Sequence, residues 1–232
     1  MEKQLTLYHG SQKIIRAPEF GAGNPRNDYG LGFYCTESLD LAKEWACTEE
    51  CSGYANQYSF DTAQLSVLNL SDPQYNILNW LSILLENRIF KLSNDLAAEG
   101  RDYIHAHFLP EYQQYDVIIG YRADDSYFSF ANAFLNNTIS LAQLEKAMYL
   151  GKLGEQIVLK SPAAFERLSF QDAIPAEKDI YYPKKTSRDS DARSAYRRER
   201  GTQRASSAVY LIDILREEWN SDDPRLSRNL SE

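Results

Sequence analysis

Polar and apolar residues alternate from Gln4 to Tyr8 (QLTLY), the period of a half-buried strand, and the run stops at His9-Gly10-Ser11. Residues 17–32 are rich in Gly, Pro and Asn, a loop composition, and Gly30 to Thr36 leads into a second strand. Ser38 predicts an N-cap for a helix over Leu39 to Cys47, with Leu41, Ala42, Trp45 and Ala46 on one face. Asn56 to Asp61 and Gln64 to Leu70 read as two strands with a turn between them. Asp72-Pro73 predicts the opening of a helix that carries Ile77, Leu78, Leu81, Leu84 and Leu85 at helical spacing and ends near Phe90. Further helices are expected from Asn94 to His107, from Ser129 to Asn136 and, capped by Ser140, through Leu150. Tyr115 to Tyr121 (YDVIIGY) reads as a buried strand, and Gly154 releases the chain into another from Gln156 to Lys160.

Beyond Phe170 the character changes. Residues 184–204 carry eight Lys or Arg against three acids, a pattern that suits a solvent-facing helix or a mobile loop. Such a segment can meet a cofactor pyrophosphate, a nucleic acid or an acidic partner, and it reads equally as a solvated linker. Val209 to Trp219 returns to an apolar element, and the last dozen residues are expected to be disordered. Strands separated by helices, without sustained βαβ alternation, predict an α+β fold. The expected organisation is a main domain over 1–172, an extension over 173–220 packing on it, and a tail over 221–232.

Composition narrows the function classes. A net charge of −8 argues against general affinity for nucleic-acid backbone, which needs clustered bases. Cys35, Cys47 and Cys51 form no CxxC pair and have no His at zinc-ligand spacing, so free thiols and no metal site are expected. The longest apolar stretch, Ile77 to Leu85, falls well short of the roughly 20 residues that cross a bilayer. No signal peptide is read at the start, so a soluble cytoplasmic protein without a membrane partner is expected. Sixteen Tyr and ten Phe suit a partly wet cleft for planar ligands as well as ordinary core packing.

Three separated pieces carry candidate chemistry: Tyr8-His9-Gly10-Ser11, Gly30-Leu31-Gly32-Phe33-Tyr34-Cys35-Thr36, and Gly154-Glu155-Gln156-Ile157-Val158-Leu159. Taken singly, each has a plain reading. A His after a strand packs, the two glycines lack the strand–GxGxxG–helix setting of a dinucleotide fold, and a Glu-Gln pair before a strand marks a solvated edge. Taken together they resemble the His–Tyr–Glu/Asp/Gln arrangement of the ADP-ribosyltransferase superfamily, which includes the poly(ADP-ribose) polymerases. The resemblance is closest to a bacterial family labelled as a domain of unknown function. Its motifs match Tyr8 to Ser11, Asp28 to Thr36, Ala42 to Ala46, Tyr115 to Phe128 and Gly154 to Ser161, in that order.

The resemblance implies a split antiparallel sheet core with flanking helices, and NAD⁺ as substrate. Cleaving the nicotinamide–ribose bond builds positive charge on the ribose, as in glycoside cleavage. By similarity, His9 would hydrogen-bond a ribose hydroxyl, Gly10 would bind the nicotinamide amide through its backbone, and Tyr34 would stack on the nicotinamide. Tyr8, Ser11, Gly32 and Thr36 are further cofactor-contact candidates. The third catalytic position falls on Glu155 by the polymerase pattern and on Gln156 by the closer bacterial family. Only one of these neighbours can face the site, and Gln156 is favoured. Since Gln brings no charge, a carboxylate is expected from elsewhere, with Asp125 of the Asp124-Asp125 pair as the candidate; that pair also reads as a helix cap. The implied activity is ADP-ribosyl transfer to a protein or nucleic acid, by a toxin or phage-defence effector that an antitoxin protein can accompany. An NAD glycohydrolase, or an inactive module that binds NAD or a partner, remain the alternatives.

Overall fold

The computed structural model describes residues 4–123, 125–149, 154–200 and 208–226, with backbone alone at 125–127, 149, 199 and 200. Strand β1 (Gln4–Ser11) turns Leu5 and Leu7 inward and pairs antiparallel with β3 (Gly53–Asp61), which pairs in turn with β7 (Leu168–Ala176). A second sheet has the order β2-β6-β5-β4, built from β2 (Phe33–Cys35), β6 (Glu155–Leu159), β5 (Val117–Tyr121) and β4 (Val67–Asn69). Its pairs are antiparallel except β4 with β5, which runs parallel and so departs from the expected all-antiparallel arrangement. The two sheets meet at one bridge, where Tyr8 N donates to Thr36 O at 2.8 Å and Thr36 N to Tyr8 O at 3.0 Å.

Alternation sorts the second sheet into two faces. Phe33, Cys35, Val117, Ile157 and Leu159 pack against Leu5, Leu7, Tyr58 and Phe60 of the first sheet. Ile118 and Val158 face a larger helical core that includes Trp80, Phe108, Phe130 and Phe134. That layer comprises α2 (Ile77–Asn87), α3 (Asp95–Phe108), α4 (Asp125–Leu135), α5 (Leu141–Tyr149) and the short α8 (Leu211–Arg216). The remaining helices are α1 (Leu39–Ala46), α6 (Pro162–Glu166) and α7 (Lys178–Arg200). The architecture is therefore mixed α+β, with two sheets and flanking helices.

Local chemistry accounts for most boundaries. Ser38 Oγ accepts from Leu41 N at 3.3 Å and starts α1 as expected. Helix α2 begins later than Asp72-Pro73, because those residues form a turn in which Tyr75 N donates to Asp72 O at 2.9 Å. Asn76 is the cap instead, with Asn76 N donating back to Asn79 Oδ1 at 2.8 Å in a reciprocal box. The strand expected from Gln64 shrinks to β4, since Gln64 adopts a left-handed φ of 64° in the preceding turn. Helix α6 and strand β7 are additions to the expected elements. β7 is an edge strand with a register shift opposite Gln57/Tyr58, which breaks the polar–apolar alternation, and as an edge it tolerates Pro175. It continues past the expected domain boundary at residue 172. Of the expected tail, 221–226 form turns that bury Leu226, and 227–232 lie outside the described residues.

Candidate functional site

Where the two sheets part beyond the Tyr8–Thr36 bridge, a hollow of about 230 Å³ opens. His9 and Gly10 reach it from β1, Tyr34 from β2, Gln156 from β6 and Trp45 from α1; Asn27 and Asp28 come from the loop before β2, Arg88 from the end of α2, and Arg122 and Ala123 from the segment after β5. Three of the sequence-predicted site residues, His9, Tyr34 and Gln156, thus line one cavity although they come from three separate motifs. Gly10 lines it too, closely packed under α1: a Cβ there would stand 2.1 Å from Ala42 O and 2.8 Å from Ala46 N.

Hydrogen-bond accounting fixes what each wall group offers. His9 Nδ1 lies 2.7 Å from the Tyr34 carbonyl, which can only accept, so Nδ1 carries the proton and Nε2 is left as an acceptor. The ring stacks on Phe33 with centroids 4.3 Å apart, and burial pushes its pKa below the usual histidine range, which keeps it neutral. Gln156 is 3% exposed; its Nε2 donates to Asp28 Oδ2 at 3.0 Å and to the Tyr121 carbonyl at 3.3 Å. Both amide protons are thereby used and Oε1 remains an acceptor. Flipping the amide would set oxygen against a carboxylate and a carbonyl. Tyr34 spends its hydroxyl locally, donating to Gly30 O at 2.6 Å and accepting from Tyr29 N at 3.1 Å, so only its ring is left to meet a ligand.

Asp28 is 6% exposed and takes three donors: Arg88 Nη1 at 2.8 Å on Oδ1, then Ala123 N at 2.9 Å and Gln156 Nε2 at 3.0 Å on Oδ2. Burial dominates and leaves its pKa above the usual carboxylate value, while those three contacts and the nearby Arg122 charge oppose the rise. Next to Ala123, the Arg122 guanidinium carbon sits 4.5 Å over the Trp45 ring.

The other expected site residues lie elsewhere. Tyr8 and Ser11 are not in the wall; Ser11 Oγ accepts from Lys13 N at 3.2 Å. Gly32 packs on β6, where a Cβ would meet Val158 Cγ1 at 2.6 Å and Leu159 O at 2.9 Å. Thr36 and Glu155 line a different hollow of about 530 Å³, over an apolar floor that includes Leu5, Ile119 and Ile157. Glu155 is exposed there and accepts from Ser71 Oγ, so strand alternation does separate it from Gln156. Asp124 lies outside the described residues, and Asp125 opens α4 with its side chain likewise outside them.

Asp28, Arg88, Trp45 and Arg122 were not anticipated as site residues. Asp28, Trp45 and Arg122 stand inside segments that the resemblance had already singled out; Arg88 had no signal, because its partner is 60 positions away. Among the described residues no group of three or more His, Cys, Asp or Glu is placed to hold a metal ion. No curated protein and no solved structure matches the chain. The family model for a protein of unknown function, DUF3990, matches residues 5–170, a stretch that runs from β1 into β7 and contains every residue lining the hollow. With the greater part of its length matched, this chain belongs to the DUF3990 family.

Proposed function

We propose that this protein binds NAD⁺ and transfers its ADP-ribose unit to a macromolecule, with the hollow between the sheets as the site that grips the nicotinamide riboside end. The observation that carries this reading is the convergence of His9, Tyr34 and Gln156 on one cavity. His9 Nε2 and Gln156 Oε1 are both acceptors, suited to the two hydroxyl donors of a ribose diol. The Tyr34 ring, held by its own hydroxyl, supplies an aromatic face for the nicotinamide. At about 230 Å³ the cavity is below the roughly 300–1,000 Å³ of pockets that enclose a whole drug-sized ligand, so it holds one end of the dinucleotide and leaves the adenosine outside.

In this reading the two sheets joined at the Tyr8–Thr36 bridge are the split core of an ADP-ribosyltransferase-like fold. The protein acts in the cytoplasm as a toxin or defence effector, held in check by an antitoxin partner. That no helix among the described residues is long and apolar enough to cross a membrane is consistent with this setting. The test is incubation with NAD⁺ labelled in the adenosine half and a cell lysate, followed by protease or nuclease digestion. Label on a macromolecule is expected, and the digestion that releases it tells protein from nucleic acid. Label that appears only as free ADP-ribose would mean water is the acceptor, and intact NAD⁺ with no measurable binding would refute the proposal.

A further inference from the structure

We infer that Asp28 is the catalytic carboxylate of this site, the group that faces the ribosyl cation as the nicotinamide departs. The inference rests on the NAD⁺ reading above and supplies the charge that Gln156 lacks. Asp28 is the one acid among the described residues that line the hollow. Three N–H donors, one of them the Arg88 guanidinium, converge on it and favour its carboxylate form against burial. An ionised carboxylate has about four lone-pair sites. Oδ2 has two filled, by Ala123 N and Gln156 Nε2, while Oδ1 has one filled, by Arg88. One acceptor site on Oδ1 is left over to face developing positive charge.

The donors also set the carboxylate in place before any ligand arrives. Ala123 N is backbone, Gln156 is anchored on β6, and Arg88 is anchored at the end of α2. A charge fixed in place in advance needs no reorganisation when the cation forms, which is where electrostatic stabilisation is largest. In the step itself the bond between ribose C1′ and the pyridinium nitrogen breaks and its electron pair leaves with neutral nicotinamide. C1′ becomes an oxocarbenium centre opposite Asp28. The acceptor's nucleophile then gives C1′ its electron pair and loses a proton to water, and Asp28 is neither alkylated nor protonated in the cycle.

The same contacts would arise if Asp28 merely tied the loop before β2 to α2 and β6, so the test separates binding from turnover. Released nicotinamide and NAD⁺ affinity are measured on purified wild type and Asp28→Asn. The expected result is an NAD⁺ affinity within about threefold of wild type with turnover slowed at least ~100-fold, the signature of an interaction made only in the transition state. Turnover within about tenfold of wild type, or affinity and turnover falling together, would overturn the assignment. A second measurement needs no variant. A protonated iminoribitol should bind the wild type at least about tenfold tighter than its uncharged tetrahydrofuran counterpart, because only a fixed negative charge tells them apart. Equal affinities would overturn the inference. Wild type that neither binds nor cleaves NAD⁺ sinks the proposed function itself, whereas wild type that cleaves it while Asp28→Asn cleaves it equally well sinks Asp28 alone.

Discussion

Replacing Gln156 by Glu adds the carboxylate that the polymerase pattern carries at the third position, and here it should harm the protein. The Gln156 amide nitrogen lies 3.0 Å from Asp28 Oδ2, and it becomes a carboxylate oxygen at that distance. Two unit charges about 3 Å apart repel by ~5 kcal/mol at an effective dielectric of about 20, the equivalent of roughly four pKa units. Arg88, 2.8 Å from Asp28 Oδ1, offsets part of this, but the donors that Gln156 gave to Asp28 and Tyr121 are lost as well. The pair therefore keeps a proton near neutrality, with an upper apparent pKa that belongs to both residues. A carboxyl whose folded pKa lies above its unfolded value holds its stability below the unfolded value and loses it as pH rises through the folded one. Urea unfolding of Gln156→Glu should thus show a deficit against wild type that widens by about 2–3 kcal/mol between pH 5.5 and 8, since one proton is worth ~1.36 kcal/mol per pH unit. NAD⁺ turnover should fall rather than rise. A deficit that does not change with pH would refute the placement of Gln156 against Asp28.

His9 titrates below the ordinary histidine range because it is buried, so the stability it contributes is complete above the unfolded value of about 6.5 and is lost as pH falls toward the folded one. Wild-type urea midpoints should decline between pH 7 and 5, and His9→Gln should flatten that decline; an unchanged slope would remove His9 as its source. Gly10→Ala places a methyl 2.1 Å from Ala42 O, against helix backbone that cannot give way, and should cost about 3 kcal/mol, at the upper end for overpacking. A wild-type urea midpoint for that variant would mean α1 does not press on β1 as described. Arg188 grips Glu44, which is 2% exposed, through two bonds of 2.8 and 3.0 Å. Arg188→Ala should cost about 3 kcal/mol by stranding a buried carboxylate, read as a lowered unfolding midpoint that Arg188→Ala/Glu44→Gln partly restores.

That last ion pair also marks a limit of reading the chain without its fold. The segment from Lys184 onward reads as a solvated basic face, and in α7 Arg193 does pair with Asp189 one helical turn away. Arg188, however, points inward to α1, 144 positions earlier, and no local pattern encodes such a partner. Local chemistry was legible where it is self-contained: the Ser38 cap, the buried run of β5, and the alternation that sets Gln156 and Glu155 on opposite sides of β6. It misled at Asp72-Pro73, where Asn76, four residues beyond Asp72, makes the better cap together with Asn79. Trp45 fits the apolar face of α1 by spacing, and yet it lines the hollow with Arg122 over its ring. Asp28 sits in a Gly- and Asn-rich loop whose composition announces only a turn, and its meaning comes from Arg88, Ala123 and Gln156, all distant in sequence.

The polarity of the cavity wall has the same origin. Imidazole and carboxamide are each donor and acceptor at once, so His9 and Gln156 as residue types do not decide whether the wall suits hydroxyl donors or carbonyl acceptors. Two backbone carbonyls and one carboxylate decide it: Tyr34 O takes the His9 proton, and Tyr121 O with Asp28 takes both protons of Gln156. Register delivers those oxygens, because Gly120 stands opposite Gln156 across the β5–β6 pair and Tyr34 opposite Val158 across β2–β6. A slip of one residue in β6 would exchange Gln156 for Glu155 or Ile157 at the wall and move every other side chain of that strand to the other face. The apolar alternation of β6, with Ile157 and Leu159 against one layer and Val158 against the other, makes that slip costly. The packing that holds the two layers together is thus also what leaves His9 Nε2 and Gln156 Oε1 as acceptors in the wall.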